Sequence, residues 1–271
     1  MLIRIGYDIS FQLANPTPMI AMLYVHPSRQ KDLQAPEDLK VEPAVPLHTY
    51  KDSFGNICGR LLAPAGTIRF VLDTLIKDNG EPDPESPDAL QHNIEDLPDE
   101  VLQFLLPSRY CEADKLNDIA WKLFRETPPG WQRAKAICDW VHNHITFGYH
   151  FADSQKSALE VYTDGKGVCR DFMHLAVTFC RCMNIPARYV TGYLGDIGVP
   201  PAPYPMDFSA WFEVYLGGKW HTFDARHNQR RIGRVLMAIG RDAADVALTT
   251  NFGSAKLLKF HVITDEVKDA V

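Results

Sequence analysis

The chain has 271 residues, of which 46% are hydrophobic, and it carries a formal net charge of −6 at pH 7. This length is enough for one large domain or two medium ones with a real core. The acidic balance and the lack of a basic stripe argue against a nucleic-acid partner, and no apolar run approaches the roughly 18 residues that a membrane span needs.

The N-terminal residues, MLIRIGYDISFQL, alternate between polar and apolar side chains and predict a strand, not a signal peptide. Six cysteines in a chain of this size, without an export signal, are expected to be reduced thiols. We therefore expect a soluble, cytoplasmic protein with no membrane partner. No CxxC pair or other clear ligand spacing is present, so we expect neither a metal nor a cofactor.

Residues 1–78 predict strands. The segments are short, rich in β-branched or aromatic side chains, and separated by turns such as SFGN at 53–56 and PAG at 64–66. Several such strands in succession predict an antiparallel, sandwich-like N-terminal β domain. Residues 79–104 are acidic and contain several prolines, which predicts a solvated linker.

Residues 105–271 predict a second domain of the α+β class. Apolar side chains at helical spacing predict helices near 111–127, 131–145 and 157–165, and a buried helix from Cys169. Three strands follow, and the last two flank Gly217-Gly218, a strong hairpin signal. A helix-like GRDAADVAL at 240–248 and a final strand at 256–267 complete the chain.

The stretch DGKGVCRDFMH, residues 164–174, places Cys169 at the beginning of the long apolar helix. Unpaired amides and the dipole at a helix N-terminus favour the thiolate, and the same amides form half of an oxyanion hole. Gly165 and Gly167 permit a tight entry turn and a close approach by substrate. A buried structural cysteine is the alternative interpretation.

The hairpin adds a second indication of a site. If Leu216 pairs with Lys219, side chains that alternate along each strand place four residues on one face: Ser209, Trp211, Asp224 and Arg226. A catalytic base with its orienting carboxylate would suit this geometry.

The segments GVCRDFMHLAVTFCRCMNIPARYVTGY and DFSAWFEVYLGGKWHTFDARHN closely resemble the transglutaminase-like superfamily. The resemblance covers roughly residues 105–250, and the β-rich region before it resembles the bacterial transglutaminase N-terminal domain. It implies a papain-like core with a Cys-His-Asp triad, acting on a peptide or protein substrate. It also implies that Cys169 is the nucleophile and Asp224 the orienting acid.

The sequence departs from the family at the general base. The family has His-Ala-Trp where this chain has Ser209-Ala210-Trp211. A hydroxyl without a base of its own cannot take a thiol proton at neutral pH, and losing a positioned acid–base group removes about 10²–10⁴-fold of rate. Trp211 either packs in the core or forms a cleft wall that contacts substrate.

Other histidines are candidates for a surrogate base. His227 lies just past the second strand of the hairpin, the 142–150 segment carries three histidines, and His174 lies five residues after Cys169. His221 is expected on the opposite face of the hairpin from Ser209.

Two functions stay open. The first is a cysteine protease or acyl transferase that acts on an amide, of a peptide or a glutamine side chain, through a Cys169 thioester. The second is a catalytically impaired module that binds a peptide or partner protein without turnover. The sequence does not indicate an oligomeric state.

Overall fold

The N-terminal part of the chain forms strands, as its alternating pattern predicts. In β1, every second residue from Ile3 to Leu13 is apolar and buried, which is the period of a half-buried strand. The computed structural model describes residues 1–268. The first six strands are β1 (Leu2–Leu13), β2 (Thr17–Ala21), β3 (Lys40–Glu42), β4 (His48–Lys51), β5 (Ile57–Ala63) and β6 (Gly66–Lys77).

The rest of the chain contains both helices and strands, with all the described α-helices before β9. The helices are α1 (Asp99–Leu102), α2 (Ala113–Phe124), α3 (Trp131–His144), α4 (Ala158–Asp164) and α5 (Cys169–Cys182). The strands are β7 (Thr146–Phe147), β8 (Lys166–Gly167), β9 (Ala187–Tyr193), β10 (Ser209–Leu216), β11 (Lys219–Phe223), β12 (Val235–Gly240), β13 (Thr249–Asn251) and β14 (Ala255–Val267). The predicted α+β class, with antiparallel sheets followed by a helix-containing core, is confirmed.

Two antiparallel sheets, in the orders β14-β1-β6-β3 and β13-β2-β5-β4, share one hydrophobic core. Ile5 and Phe70 come from the first sheet and Met19 from the second. The last strand of the chain, β14, therefore lies beside the first, and β13 lies beside β2. The domain boundaries suggested by the sequence stay a prediction.

The third antiparallel sheet, in the order β11-β10-β9-β12, packs against α5. From Asp171 to Cys182 every residue of α5 is buried, as its almost uniformly apolar sequence predicts. α2, α3 and α4 surround it, so α5 is the central helix of this core. No helix within residues 1–268 is long and apolar enough to cross a membrane.

The helix predicted over 240–248 is wrong, because this segment forms turns. The carboxylate of Asp242 accepts hydrogen bonds from the backbone N–H groups of Tyr110 and Ala244, and that of Asp245 accepts one from Arg241. Aspartate side chains that satisfy backbone amides in this way compete with helix formation. The helical spacing of the alanines does not reveal these partners.

Residues 79–98, called here the acidic strap, are mostly irregular, but they are tied to the core rather than solvated throughout. Trp131 donates its backbone N–H to the carbonyl of Ala89, and Gly217 donates to that of Leu90. The Gln91 side chain donates to the carbonyl of Met183. The strap therefore follows the surface of the core domain.

Candidate active site

The first turn of α5 fixes the position of Cys169. Asp171 accepts a hydrogen bond from the backbone N–H of Val168 at 2.8 Å, which satisfies one of the unpaired donors at the helix start. A Cβ on Gly167 would lie 2.6 Å from the Asp171 side chain. Gly167 is buried, so the structure gives it a packing role at this point, and contact with substrate stays a prediction.

The sulfur of Cys169 lies in a desolvated but polar setting. Burial raises the pKa of the thiol to about 11, and the positive charge of Arg226 opposes this shift. The backbone N–H groups of Ala210 and Arg170 also favour the thiolate, but they do not reverse the effect of burial. The thiol is therefore protonated at neutral pH and needs a base before it can attack.

Ser209 is the first residue of β10, and the hairpin has the predicted register, with Leu216 opposite Lys219. The side chain of Ser209 is only 5% exposed, and its Oγ has no hydrogen-bond partner among residues 1–268. The backbone N–H of the next residue, Ala210, is near enough to the Cys169 sulfur to favour the thiolate.

Asp224 directly follows β11 and is buried. Its Oδ1 accepts the backbone N–H groups of Arg226 and His227, at 3.1 Å and 3.0 Å. Its Oδ2 accepts one hydrogen bond from the His227 ring and one from Arg234, each at 2.9 Å. Burial alone would raise the pKa of this carboxyl, but the Arg234 charge and the His227 hydrogen bonds hold it well below its ordinary range.

His227 is brought back toward Asp224 by the turn that begins there. The backbone N–H of Asn228 donates to the carbonyl of Asp224, which closes the turn. The Nδ1 atom of His227 lies 2.9 Å from Asp224 Oδ2, while its Nε2 makes no hydrogen bond with residues 1–268. His227 and Ser209 line the same pocket, together with Arg226.

Apart from the exposed His150, the other histidines considered as a base form hydrogen bonds elsewhere. His174 is fully buried and its Nε2 accepts the backbone N–H of Ala243, and burial holds its pKa well below the ordinary value. His142 contacts the Ala225 carbonyl through Nδ1, and His144 contacts that of Tyr162 through Nε2. His221 lies opposite Val214, as predicted, and contacts the Leu216 carbonyl; His150 is exposed beside Phe151.

Trp211 packs beneath the site. It is 2% exposed, and the Arg234 guanidinium lies 5.0 Å from the centre of its ring. At this burial the ring is part of the core, and a substrate contact by Trp211 stays a prediction. Within residues 1–268, no three His, Cys, Asp or Glu side chains converge in a way that could hold a metal ion.

Comparison with known proteins identifies the fold family. Residues 118–225 match the profile of the transglutaminase-like superfamily. A candidate cysteine protease from Cytophaga hutchinsonii, known from its crystal structure, superposes with a TM-score of 0.83. The two sequences are 32% identical, and the match covers 100% of this chain and 92% of that one. The chain belongs to the transglutaminase-like superfamily.

Curated relatives of this transglutaminase-like protein are more distant. An uncharacterised protein of Mycobacterium leprae is 29% identical over 154 residues, which is 55% of this chain and 53% of the relative. The mouse kyphoscoliosis peptidase is 28% identical over 116 residues, 41% of this chain and 18% of the peptidase. The chain thus spans about half of the first relative and a small part of the second.

Two charged residues of this transglutaminase-like site, Arg234 and Asp83, were not singled out by sequence reasoning. Arg234 lies ten positions after Asp224 and contacts it directly. Asp83 lies in the acidic strap and contacts Arg234. Neither residue belongs to a short motif, and neither shares a helix or a strand with Asp224, so no periodic spacing connects them to it.

Proposed function

We propose that this protein is a cysteine hydrolase or acyl transferase that attacks an amide through Cys169, with His227 as the base in place of the family histidine. The observation that carries the proposal is the 2.9 Å hydrogen bond between His227 Nδ1 and Asp224 Oδ2. A histidine oriented by a buried carboxylate is the arrangement that activates a neighbouring nucleophile.

The chemistry begins with proton transfer. His227 takes the proton of the Cys169 thiol through Nε2 as the sulfur attacks the carbonyl carbon of the amide. The new C–S bond places negative charge on the carbonyl oxygen, which the amides at the start of α5 stabilise. Asp224, ionised and buried, stabilises the positive imidazolium.

The intermediate then collapses and is resolved. The C–N bond breaks, and His227 gives its proton to the departing amine, which leaves a thioester on Cys169. Water or a second amine attacks the thioester carbonyl while His227 takes a proton from that nucleophile. The C–S bond then breaks, and His227 returns the proton to the sulfur, which restores the thiol. Water gives hydrolysis and an amine gives acyl transfer.

The small side chain of Ser209 fits this proposal. A histidine at that position would compete with His227 for the space beside Asp224 and for its carboxylate. Because Ser209 and His227 line the same pocket, a serine leaves room for the ring that arrives from the loop after β11. In this proposal Ser209 is a neighbour of the base and not its replacement.

The second candidate is a module that binds a peptide in the same cleft without turnover. The raised pKa of Cys169, about 11, favours it, because a thiol held in the protonated form is a poor nucleophile unless a base acts on it. The two candidates differ in one respect, which is whether His227 acts on Cys169.

The test is an adduct experiment with defined probes. The protein is incubated with a glutamine-containing peptide amide, with and without hydroxylamine, and intact-mass spectrometry follows acylation of Cys169 and release of hydroxamate. We expect acylation in the parent, none in Cys169→Ala, and a decrease of about 10²-fold or more in His227→Gln. Ser209→Ala should stay within about tenfold of the parent.

The contrary outcome is equally definite. If the peptide binds the parent and Cys169→Ala with the same affinity and no acyl adduct or hydroxamate forms, the binding module is the correct function. If adducts form and His227→Gln has no effect on their rate, Cys169 reacts but His227 is not its base.

A further inference from the structure

Arg234 joins the candidate base to a residue of the acidic strap. Its Nη2 donates to Asp224 Oδ2 at 2.9 Å, and its Nε donates to Asp83 Oδ2 at 2.9 Å. With the 2.9 Å contact between Asp224 and His227, four side chains form one continuous chain, Asp83–Arg234–Asp224–His227. Arg234 is only 9% exposed, so solvent screens its contacts weakly.

Asp83 is fastened by both its side chain and its backbone. Its Oδ2 also accepts the backbone N–H of Arg231 at 3.0 Å, and its own N–H donates to the Arg231 carbonyl at 2.9 Å. These bonds place the strap against the loop that carries His227 and Arg234. The carboxylate is therefore held at one position relative to Arg234.

We infer that Asp83 is a positioning residue of the active site, which holds Arg234 so that Asp224 keeps its hydrogen bond to His227. The inference rests on the proposed function, in which His227 is the base. A buried guanidinium needs carboxylate partners on more than one edge, since an unpaired charge in the interior is costly. Asp83 accepts from Arg234 Nε, so Arg234 reaches Asp224 through Nη2 alone. Asp224 Oδ2 can then accept a second hydrogen bond, which comes from the His227 ring.

The loss of Asp83 has a specific consequence. Arg234 would then have Asp224 as its one carboxylate partner and would turn toward it with more than one N–H group, since bidentate contacts are favoured. That movement draws the Asp224 carboxylate away from His227 Nδ1. A displacement of about 1 Å at the base lowers reactivity about tenfold to a hundredfold.

The experiment compares Asp83→Asn with Glu85→Gln. Both variants remove one negative charge from the strap, but Glu85 contacts the exposed Arg230 at 3.8 Å and does not contact Arg234. Histidine labelled with ¹⁵N reports whether His227 keeps its Nδ1–H hydrogen bond. Iodoacetamide at pH 7.5 reports the reactivity of Cys169, read at that residue by mass spectrometry, and the melting temperature reports folding.

We expect Asp83→Asn to lose the protected Nδ1–H signal of His227 and to alkylate Cys169 about tenfold more slowly. Its melting temperature should fall, because the buried Arg234 loses a carboxylate partner, but the variant should stay folded at the assay temperature. Glu85→Gln should match the parent in all three measurements. Asp83→Glu, which restores the carboxylate, should recover a part of the reactivity. A structural role limited to fastening the strap would lower the melting temperature and leave the His227 signal unchanged.

The result that overturns the inference is an unchanged His227 signal in Asp83→Asn. This outcome is distinct from failure of the proposed function, which His227→Gln tests separately through the alkylation rate of Cys169. If His227→Gln does not alter that rate while Asp83→Asn still alters the His227 signal, the chain of contacts is correct and the role of the base is not.

Discussion

The sulfur of Cys169 is subject to two opposing influences. Burial raises the pKa of the thiol, while the charge of Arg226 and the backbone N–H groups of Arg170, in α5, and Ala210, in β10, lower it. The helix N-terminus was expected to favour the thiolate, and it does so, but desolvation is the larger effect. The reason is that a dipole and one partly screened cation supply less stabilisation than bulk water does.

This balance gives a prediction for the pH dependence of alkylation. Because the pKa of Cys169 is raised to about 11, its reaction with iodoacetamide should increase with pH and have a midpoint above the free-thiol value of about 8.5. Site-resolved mass spectrometry after short pulses at each pH measures it. A midpoint well below 8.5 would show that the helix and Arg226 outweigh burial.

The contribution of Arg226 can be measured in the same way. Replacing it in Arg226→Gln removes the positive charge that opposes burial, so the midpoint for Cys169 should move to higher pH and the rate at pH 8 should decrease. Arg60→Gln, an exposed arginine on β5, is the matched control and should leave the curve unchanged. Equal curves for both variants would contradict the assignment of Arg226 to the site.

At the scale of a single element, the start of α5 depends on the fit between Gly167 and Asp171. Asp171 is buried and bonds the Val168 amide, and its side chain occupies the space in which a Cβ of residue 167 would lie. The start of α5, which carries Cys169, is therefore stabilised by the carboxylate of Asp171, two residues after Cys169.

A double-mutant cycle tests this fit. Gly167→Ala should lower the free energy of unfolding by about 1–3 kcal/mol, because the new methyl group displaces Asp171. Asp171→Ala should cost about 0.5–2 kcal/mol through loss of the cap. The double variant should lose less free energy of unfolding than the sum of the two single losses, because the methyl group added at position 167 no longer meets the Asp171 side chain. Urea unfolding measures each value. Strict additivity would mean that the two side chains do not compete for space.

At the scale of the whole molecule, the two ends of the chain close one sheet. β14 pairs with β1 along the length of β1, and side chains of β12 contribute to the same hydrophobic core as β1. β12 also belongs to the sheet that carries Ser209. The N-terminal sheets and the candidate active site thus share a continuous structure.

Because these elements share a core, a destabilising substitution in β14 should also destabilise the core domain. Val262→Asp places an unpaired charge at a position that is 1% exposed and should lower stability by about 3 kcal/mol or more. All five tryptophans lie between residues 121 and 220, so the fluorescence midpoint in urea should decrease. Val267→Asp, at 37% exposure on the same strand, should change it little. An unchanged fluorescence midpoint in Val262→Asp would show that the sheet and the core unfold separately.

The sequence alone determined the elements whose partners are near in the chain. The alternation of β1, the helical spacing that begins at Cys169, and the register around Gly217-Gly218 are local patterns, and the structure confirms them. The resemblance to the transglutaminase-like superfamily, whose profile matches residues 118–225, implied the roles of Cys169 and Asp224, and those roles stay predictions.

Tertiary structure decided the rest, because it depends on contacts between distant residues. The pairing of β14 with β1 spans nearly the entire chain, and no local pattern marks it. The turn after Asp224 brings the ring of His227 to that carboxylate, while the Ser209 Oγ has no hydrogen-bond partner among residues 1–268. The strap joined Asp83 to Arg234, 151 residues apart. Sequence periodicity records which side of an element is buried, but only the folded chain determines which charges meet there.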